Sequence, residues 1–247
     1  MYKLLSANLS RLWITKAFWI TIFIMVSIVS MLCSLLISQG STYLHIALFL
    51  SLQVIGILTS IFFSSYLGTE YSDGTIRNKL IVGHKRNSIY LANFITGVIA
   101  ITAIYLAWAL TGGLFGLLTN ISINSNVTEI ILIGVTGWFS CITYIAIFSF
   151  VGMLSSSKSR TSIISILTAF ILLFVGLLCY SLSRPGMFTG ISREVFLFLF
   201  EFNPFGQTFQ IISLGTNELW HLIIYSLILT VILTSLGLYI FRKKDLK

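Results

Sequence analysis

The chain of 247 residues is 57% hydrophobic and only 9% charged, with a mean hydropathy of +0.99. So few charges cannot clothe the core of a water-soluble domain of this length, so composition places it among polytopic membrane proteins. The formal net charge of +8 does not indicate nucleic acid binding, because Lys and Arg gather at the ends of apolar stretches, where they meet anionic headgroups.

Residues 1–16 read as a helix lying in the membrane interface. Leu5, Leu9, Leu12 and Trp13 fall on one face, Lys3, Ser6, Ser10 and Arg11 on others, and Trp13 and Trp19 mark the headgroup level. The apolar stretch that follows is too long, and lacks the small-residue pattern, for a cleaved signal peptide, and is read as a permanent helix. At about 20 residues per crossing the chain gives six spans, near 17–38, 46–67, 90–118, 128–154, 161–182 and 219–241.

Alternate connections differ sharply in charge. Lys3, Arg11 and Lys16, then Arg77, Lys79, Lys85 and Arg86 in the 68–89 loop, Lys158 and Arg160 in the 155–160 loop, and Arg242, Lys243, Lys244 and Lys247 at the tail fall on one side. The 39–45 and 119–127 loops have no Lys or Arg, and the 183–218 segment has only Arg184 and Arg193. Positive charge stays inside, so both termini are expected in the cytoplasm of a cell that holds this chain in its plasma membrane.

The 68–89 loop is the densest charged island between long uncharged stretches. Ser72 or Asp73 is expected to cap a short helix beginning near Gly74, Asp73 to pair with Arg77 four residues on, and Ile76 and Leu80 to share an apolar face. Within the spans, Gly112-Gly113-Leu114-Phe115-Gly116 and the pair Gly134 and Gly137 suggest notches for close helix contact. Cys33, Cys141 and Cys179 stand singly in apolar runs, without the spacing of a disulfide framework or a metal site. His45, His84 and His221 also read as isolated.

The 183–218 segment is long yet apolar, with Val195 to Phe200, Phe202 and Phe205 crowded together. It is too short to cross twice. Pro204 breaks any helix at Asn203, so two short helices dipping into the outer leaflet are expected, with Phe198, Phe202, Asn203, Pro204 and Phe205 as candidate gate residues.

The run Glu70-Tyr71-Ser72-Asp73-Gly74-Thr75-Ile76-Arg77-Asn78-Lys79-Leu80, followed by Gly83 and Arg86, resembles the first cytoplasmic loop of the ABC type-2 permeases, the group of bacitracin-export and lantibiotic-immunity membrane subunits of Gram-positive bacteria. The resemblance extends over the whole layout: an interfacial elbow helix, six spans, and a semi-buried outer segment carrying Asn203-Pro204-Phe205. It implies an all-α membrane protein of one permease domain over 1–247, with a cytoplasmic coupling helix and semi-buried outer helices between spans five and six. It implies that Glu70, Asp73, Gly74, Thr75, Ile76, Arg77, Asn78, Lys79 and Leu80 couple to a groove of a separate ATPase subunit. The outer segment departs from the family in its wealth of phenylalanine.

No Gly-x-x-x-x-Gly-Lys-Ser/Thr run occurs, so ATP and magnesium are expected in the partner rather than in this chain. Every acid lies at or beyond an expected membrane boundary, which disfavours an ion-coupled carrier, and no nucleophile with a base, nor any metal constellation, points to an enzyme. The expected partners are two ATPase subunits, a second permease copy or a homologous permease, and membrane lipid. The expected cargo is amphipathic or hydrophobic, first an antimicrobial or toxin-like peptide, with drugs or a lipid-linked glycan next. A non-transporting scaffold or sensor is the reading of a different class.

Overall fold

The computed structural model describes residues 1–38, 48, 50–119, 127–155, 157–211 and 219–244. The expectations for the 39–45 connection, for residues 120–126 and 212–218, and for His45 and Lys247 lie outside these residues. Ten helices are described: α1 (Tyr2–Ile14), α2 (Lys16–Ser38), α3 (Ile55–Ser72), α4 (Thr75–Ile81), α5 (Arg86–Thr119), α6 (Val127–Leu154), α7 (Lys158–Ser183), α8 (Ile191–Phe202), α9 (Pro204–Gln210) and α10 (Leu219–Lys243), with no strand among the described residues. Six of them, α2, α3 with the turn before it, α5, α6, α7 and α10, are long and apolar enough to cross a membrane. The chain is a multi-pass membrane protein.

Helices are the expected solution for such stretches, because lipid offers no partner to a backbone N–H or C=O and a helix satisfies both internally. The hydroxyls follow the same logic. Thr21, Thr59, Thr96, Thr102 and Thr136 each donate to the carbonyl four residues before them, which removes a polar group from an apolar surrounding without needing a tertiary partner.

The bundle is built around α3 and α6. α3 packs against α6 and α7, α6 against α10 and α5, and α5 against α2 and α1. Phe62, Phe63 and Leu67 of α3 meet Ile145 and Phe148 of α6 in a core closed to within about 1% exposure. α2, α7 and α10 flank the core and turn outward apolar faces such as Phe23, Met31, Ile171, Phe174, Val231 and Ile232. In water such a surface would aggregate; in lipid it is the ordinary exterior.

The expected glycine notches are used in part. Among the described residues nothing lies within 4 Å of a side chain added at Gly113 or Gly134, whereas Gly112 abuts Leu48 and Gly137 the Tyr105 hydroxyl. Gly68 is a further notch, against backbone, where an added Cβ would stand 2.9 Å from the Lys158 backbone at the start of α7.

Two helix boundaries differ from expectation in a way that matters for function. α3 continues through Ser72 and α5 begins at Arg86, so the connection between them shrinks from 68–89 to 73–85, and Glu70 and Tyr71 belong to a helix rather than a loop. α1, α4, the turn after α6 and the last turn of α10 gather at one end of the bundle, here the basic end. The link from Lys79 to Asn8 and those from Lys244 to Met153 and Ser155 hold them together.

Candidate functional site

α4 is bounded by two glycines in the left-handed region that only glycine adopts freely. Gly74 (φ 66) ends α3 and begins α4. Its N–H donates to the Tyr71 carbonyl at 3.2 Å, and the Thr75 hydroxyl donates to the Glu70 carbonyl at 3.0 Å. Gly83 (φ 95) closes the far end, with its N–H on the Leu80 carbonyl at 2.9 Å and the His84 N–H on that of Lys79 at 3.1 Å, the paired bonds of a glycine-terminated helix. The expected cap by Ser72 or Asp73 does not form, because α3 absorbs Ser72 and Asp73 sits at its end. The expected Asp73–Arg77 pair is not among the ion pairs of the described residues; Asp73 accepts from the Ser72 hydroxyl at 3.0 Å instead.

Glu70 is the centre of the basic end. Its side chain is fully buried, with Lys79 Nζ at 2.6 Å and Arg11 Nη1 at 3.1 Å from Oε1. Asn93 Nδ2 donates to Oε2 at 2.7 Å. The remaining amide positions follow from these. Asn93 spends its donor on the carboxylate, so its Oδ1 accepts from Asn8 Nδ2 at 2.6 Å, and Asn8 Oδ1 accepts from Lys79 Nζ at 2.9 Å. Lys79, Asn8, Asn93 and Glu70 thus close a ring of hydrogen bonds, one residue each from α4, α1, α5 and α3. The Tyr66 hydroxyl donates to the Asn8 carbonyl at 2.9 Å, and the Arg11 guanidinium lies 3.9 Å above the Tyr66 ring.

A buried carboxylate is tolerable only when paired and fully hydrogen-bonded, and two cations with one amide satisfy that condition. The ring is a joint that ties α4 to α1, α3 and α5 through one side chain from each, with the Arg11 Nε beside it buried and unpartnered. Ile76 is buried and Leu80 half-buried beneath α4, as expected. The opposite face is open. Asp73, Arg77 and Asn78 are exposed there, and Ile81 and Val82 are both 76% exposed. A cleft of roughly 330 Å³ lies beside this face, lined by Lys3, Leu4, Ala7, Thr75, Asn78, Lys79, Val82 and His84.

The coupling set therefore splits. Glu70, Ile76, Lys79 and Leu80 face the bundle, Asp73, Arg77 and Asn78 face outward, and Gly74 and Thr75 form the turn between. Asn8, Arg11 and Asn93, which complete the joint, escape sequence reading. Asn8 lies on the buried α1 stripe of Leu4, Asn8 and Leu12, whereas Trp13 is half-exposed, so the inward face is rotated from the expected leucine face. Asn93, a lone amide one turn into an apolar run, was the available signal.

A second fastening lies at the same end. Lys244 Nζ donates to the carbonyls of Ser155 and Met153 at 2.7 and 3.1 Å. Arg86 Nη1 donates to the carbonyls of Phe241 and Lys244. Burial pushes the Lys244 ammonium down to about 8.

At the other end, Pro204 divides the segment into two helices, as expected. The Asn203 side chain caps α9 by accepting from the Phe205 N–H at 3.0 Å, and its amide donates to the Leu172 carbonyl at 2.7 Å. Leu172 lies eleven residues before the end of α7, about 16 Å along the helix axis, so the α8–α9 corner reaches deep beside the bundle. Phe205 packs near Gly176. The five gate candidates fall into two groups. Asn203, Pro204 and Phe205 are buried in this corner, while Phe198 and Phe202 stack on each other and against Tyr225. His221 is not isolated: its Nε2 lies 3.4 Å from Glu201, which also accepts from Gln210.

Among the described residues no group of three or more His, Cys, Asp or Glu could hold a metal ion. Cys33, Cys141 and Cys179 are buried free thiols on three different helices. No protein-family model matches the sequence, and no curated protein matches it.

Proposed function

We propose that this chain is the membrane subunit of an ATP-driven exporter of the ABC type-2 kind, coupled to a separate ATPase through α4. The observation that carries this reading is the joint at Glu70. A two-turn helix outside the bundle presents Arg77, Asn78, Ile81 and Val82 to a partner while Lys79 ties it to α1 and α3 and, through Glu70 and Asn93, to α5. A mixed surface of an arginine and aliphatic side chains suits a docking helix, and rigid attachment is what transmission of a push requires.

In this reading the basic end is cytoplasmic, with both termini there, and the membrane is the plasma membrane. α1 is the interfacial elbow and α8–α9 the outer re-entrant segment. Two ATPase subunits and a second permease, identical or homologous, complete the machine. ATP-driven closure of the ATPase pair moves α4, and the joint passes that movement to α1, α3 and α5. The cargo is amphipathic or hydrophobic, an antimicrobial or toxin-like peptide in the first place, and leaves past the α8–α9 corner.

The test is ATP hydrolysis by the co-purified ATPase in lipid nanodiscs across a panel of amphipathic peptides. Arg77→Ala, which removes an exposed contact and leaves the joint whole, is expected to lower peptide-stimulated hydrolysis of order tenfold while expression and thermal stability stay at wild-type levels. Hydrolysis unchanged in that variant, or no ATPase bound to the wild-type chain, would overturn the proposal.

A further inference from the structure

We infer that the groove between the end of α6 and the start of α7 is a binding site for an anionic phospholipid of the leaflet at the basic end. The inference rests on the six helices crossing a bilayer and not on the transport reading. The groove, roughly 350 Å³, is lined by Phe150, Val151, Leu154 and Ile164 together with Ser155 and Arg160. Arg160 is exposed and has no ion-pair partner among the described residues.

Helical spacing supplies the second half of the site. Ile164, Leu167 and Ile171 follow Arg160 at steps of four, three and four residues, so all lie on one face of α7. They are 46%, 56% and 59% exposed. A cation thus heads an apolar column. The stretch from Arg160 to Ile171 spans about 16 Å, close to half of a ~30 Å hydrocarbon layer and so to the reach of one acyl chain. A guanidinium matches a phosphate diester in shape and charge, and the walls of Phe150, Val151 and Leu154 give the chain below it a second surface. A zwitterionic headgroup offers the same phosphate but carries its own ammonium, which offsets much of the attraction to Arg160. A free phosphate would gain only the charge.

The experiment places p-benzoylphenylalanine at Ile164 in the full chain, reconstituted in vesicles of equal phosphatidylglycerol and phosphatidylcholine, and identifies crosslinked lipid by mass. Phosphatidylglycerol adducts are expected to exceed phosphatidylcholine adducts about fivefold, the worth of one basic residue at an anionic surface. Arg160→Gln is expected to bring the ratio to equality and Arg160→Lys to keep most of it. The same probe at Phe174, in the opposite half of α7, should show no preference. A probe at Leu167 repeats the measurement if Ile164 does not accept the substitution. Equal adducts in the wild type, a preference that survives Arg160→Gln, loss of the adduct to excess soluble glycerophosphate, or crosslinking to a protein in place of lipid would each overturn the assignment.

Discussion

Glu70 is the residue on which the basic end depends, and its surroundings set the sign of its mutations. Removing it leaves Arg11 and Lys79 facing each other without their shared counter-ion, and breaking a buried pair in this way costs about 3–5 kcal/mol. Glu70→Ala is therefore expected to lower the midpoint of thermal unfolding in detergent sharply, and Glu70→Ala with Lys79→Ala to recover part of the loss. A double variant no more stable than the single one would show that the charge left behind is not the problem. Lys244 gives a second residue-scale expectation. Its folded pKa, about 8, lies below the ordinary lysine value, so between the two the unfolded chain holds a proton that the folded chain has released. Stability should accordingly rise as pH climbs from about 8 toward the ordinary value, and be at its lower plateau below that window. Thermal unfolding followed across this range should show the rise, and Lys244→Met should flatten it.

At the scale of elements, local signals located the breaks and distant partners decided the ends. Gly74, Gly83 and Pro204 are readable in sequence because glycine alone turns freely into the left-handed region and proline fixes its own φ, both without help from elsewhere. The end of α3 was not readable. A charged residue looks like the start of a loop, and only Asn8, Arg11, Lys79 and Asn93, from 9 to 62 positions away in the chain, make it possible for Glu70 to stay in the helix. The same limit explains the glycines: spacing tells that small residues share a face, not whether any helix lies against it. The α8–α9 corner carries its own expectation. Asn203→Ala removes both the cap of α9 and the bond to Leu172, a loss of about 1–2 kcal/mol. Amide hydrogen exchange across 205–210 should accelerate while α1 keeps its wild-type protection; unchanged exchange in α9 would mean that packing of Phe205 alone seats the corner.

For the whole molecule, composition was enough to give the class, and the six apolar runs gave the number of long helices. The arrangement of those helices was not legible, since α3 and α6 are central and α2, α7 and α10 peripheral although all are similarly apolar. The charge asymmetry makes a global expectation that labelling can check. With Asp73→Cys and Met187→Cys as single reporters, an impermeant maleimide should reach the first only in inverted vesicles and the second only in right-side-out ones. Reversal of both would turn the molecule over, and labelling of both from one side would break the six-span count.

The ring at Glu70 also bears on the order in which the protein assembles. Asn8 and Arg11 leave the ribosome first, Glu70 follows at the end of the second crossing, Lys79 comes after it, and Asn93 belongs to the third. α1 therefore meets its first partners, Tyr66 and Glu70, only as the end of the first hairpin is made. The ring closes only when Asn93 arrives, so a chain stalled before α5 would hold Glu70 between Arg11 and Lys79 with the far carboxylate oxygen and the Asn8 amide still unmatched.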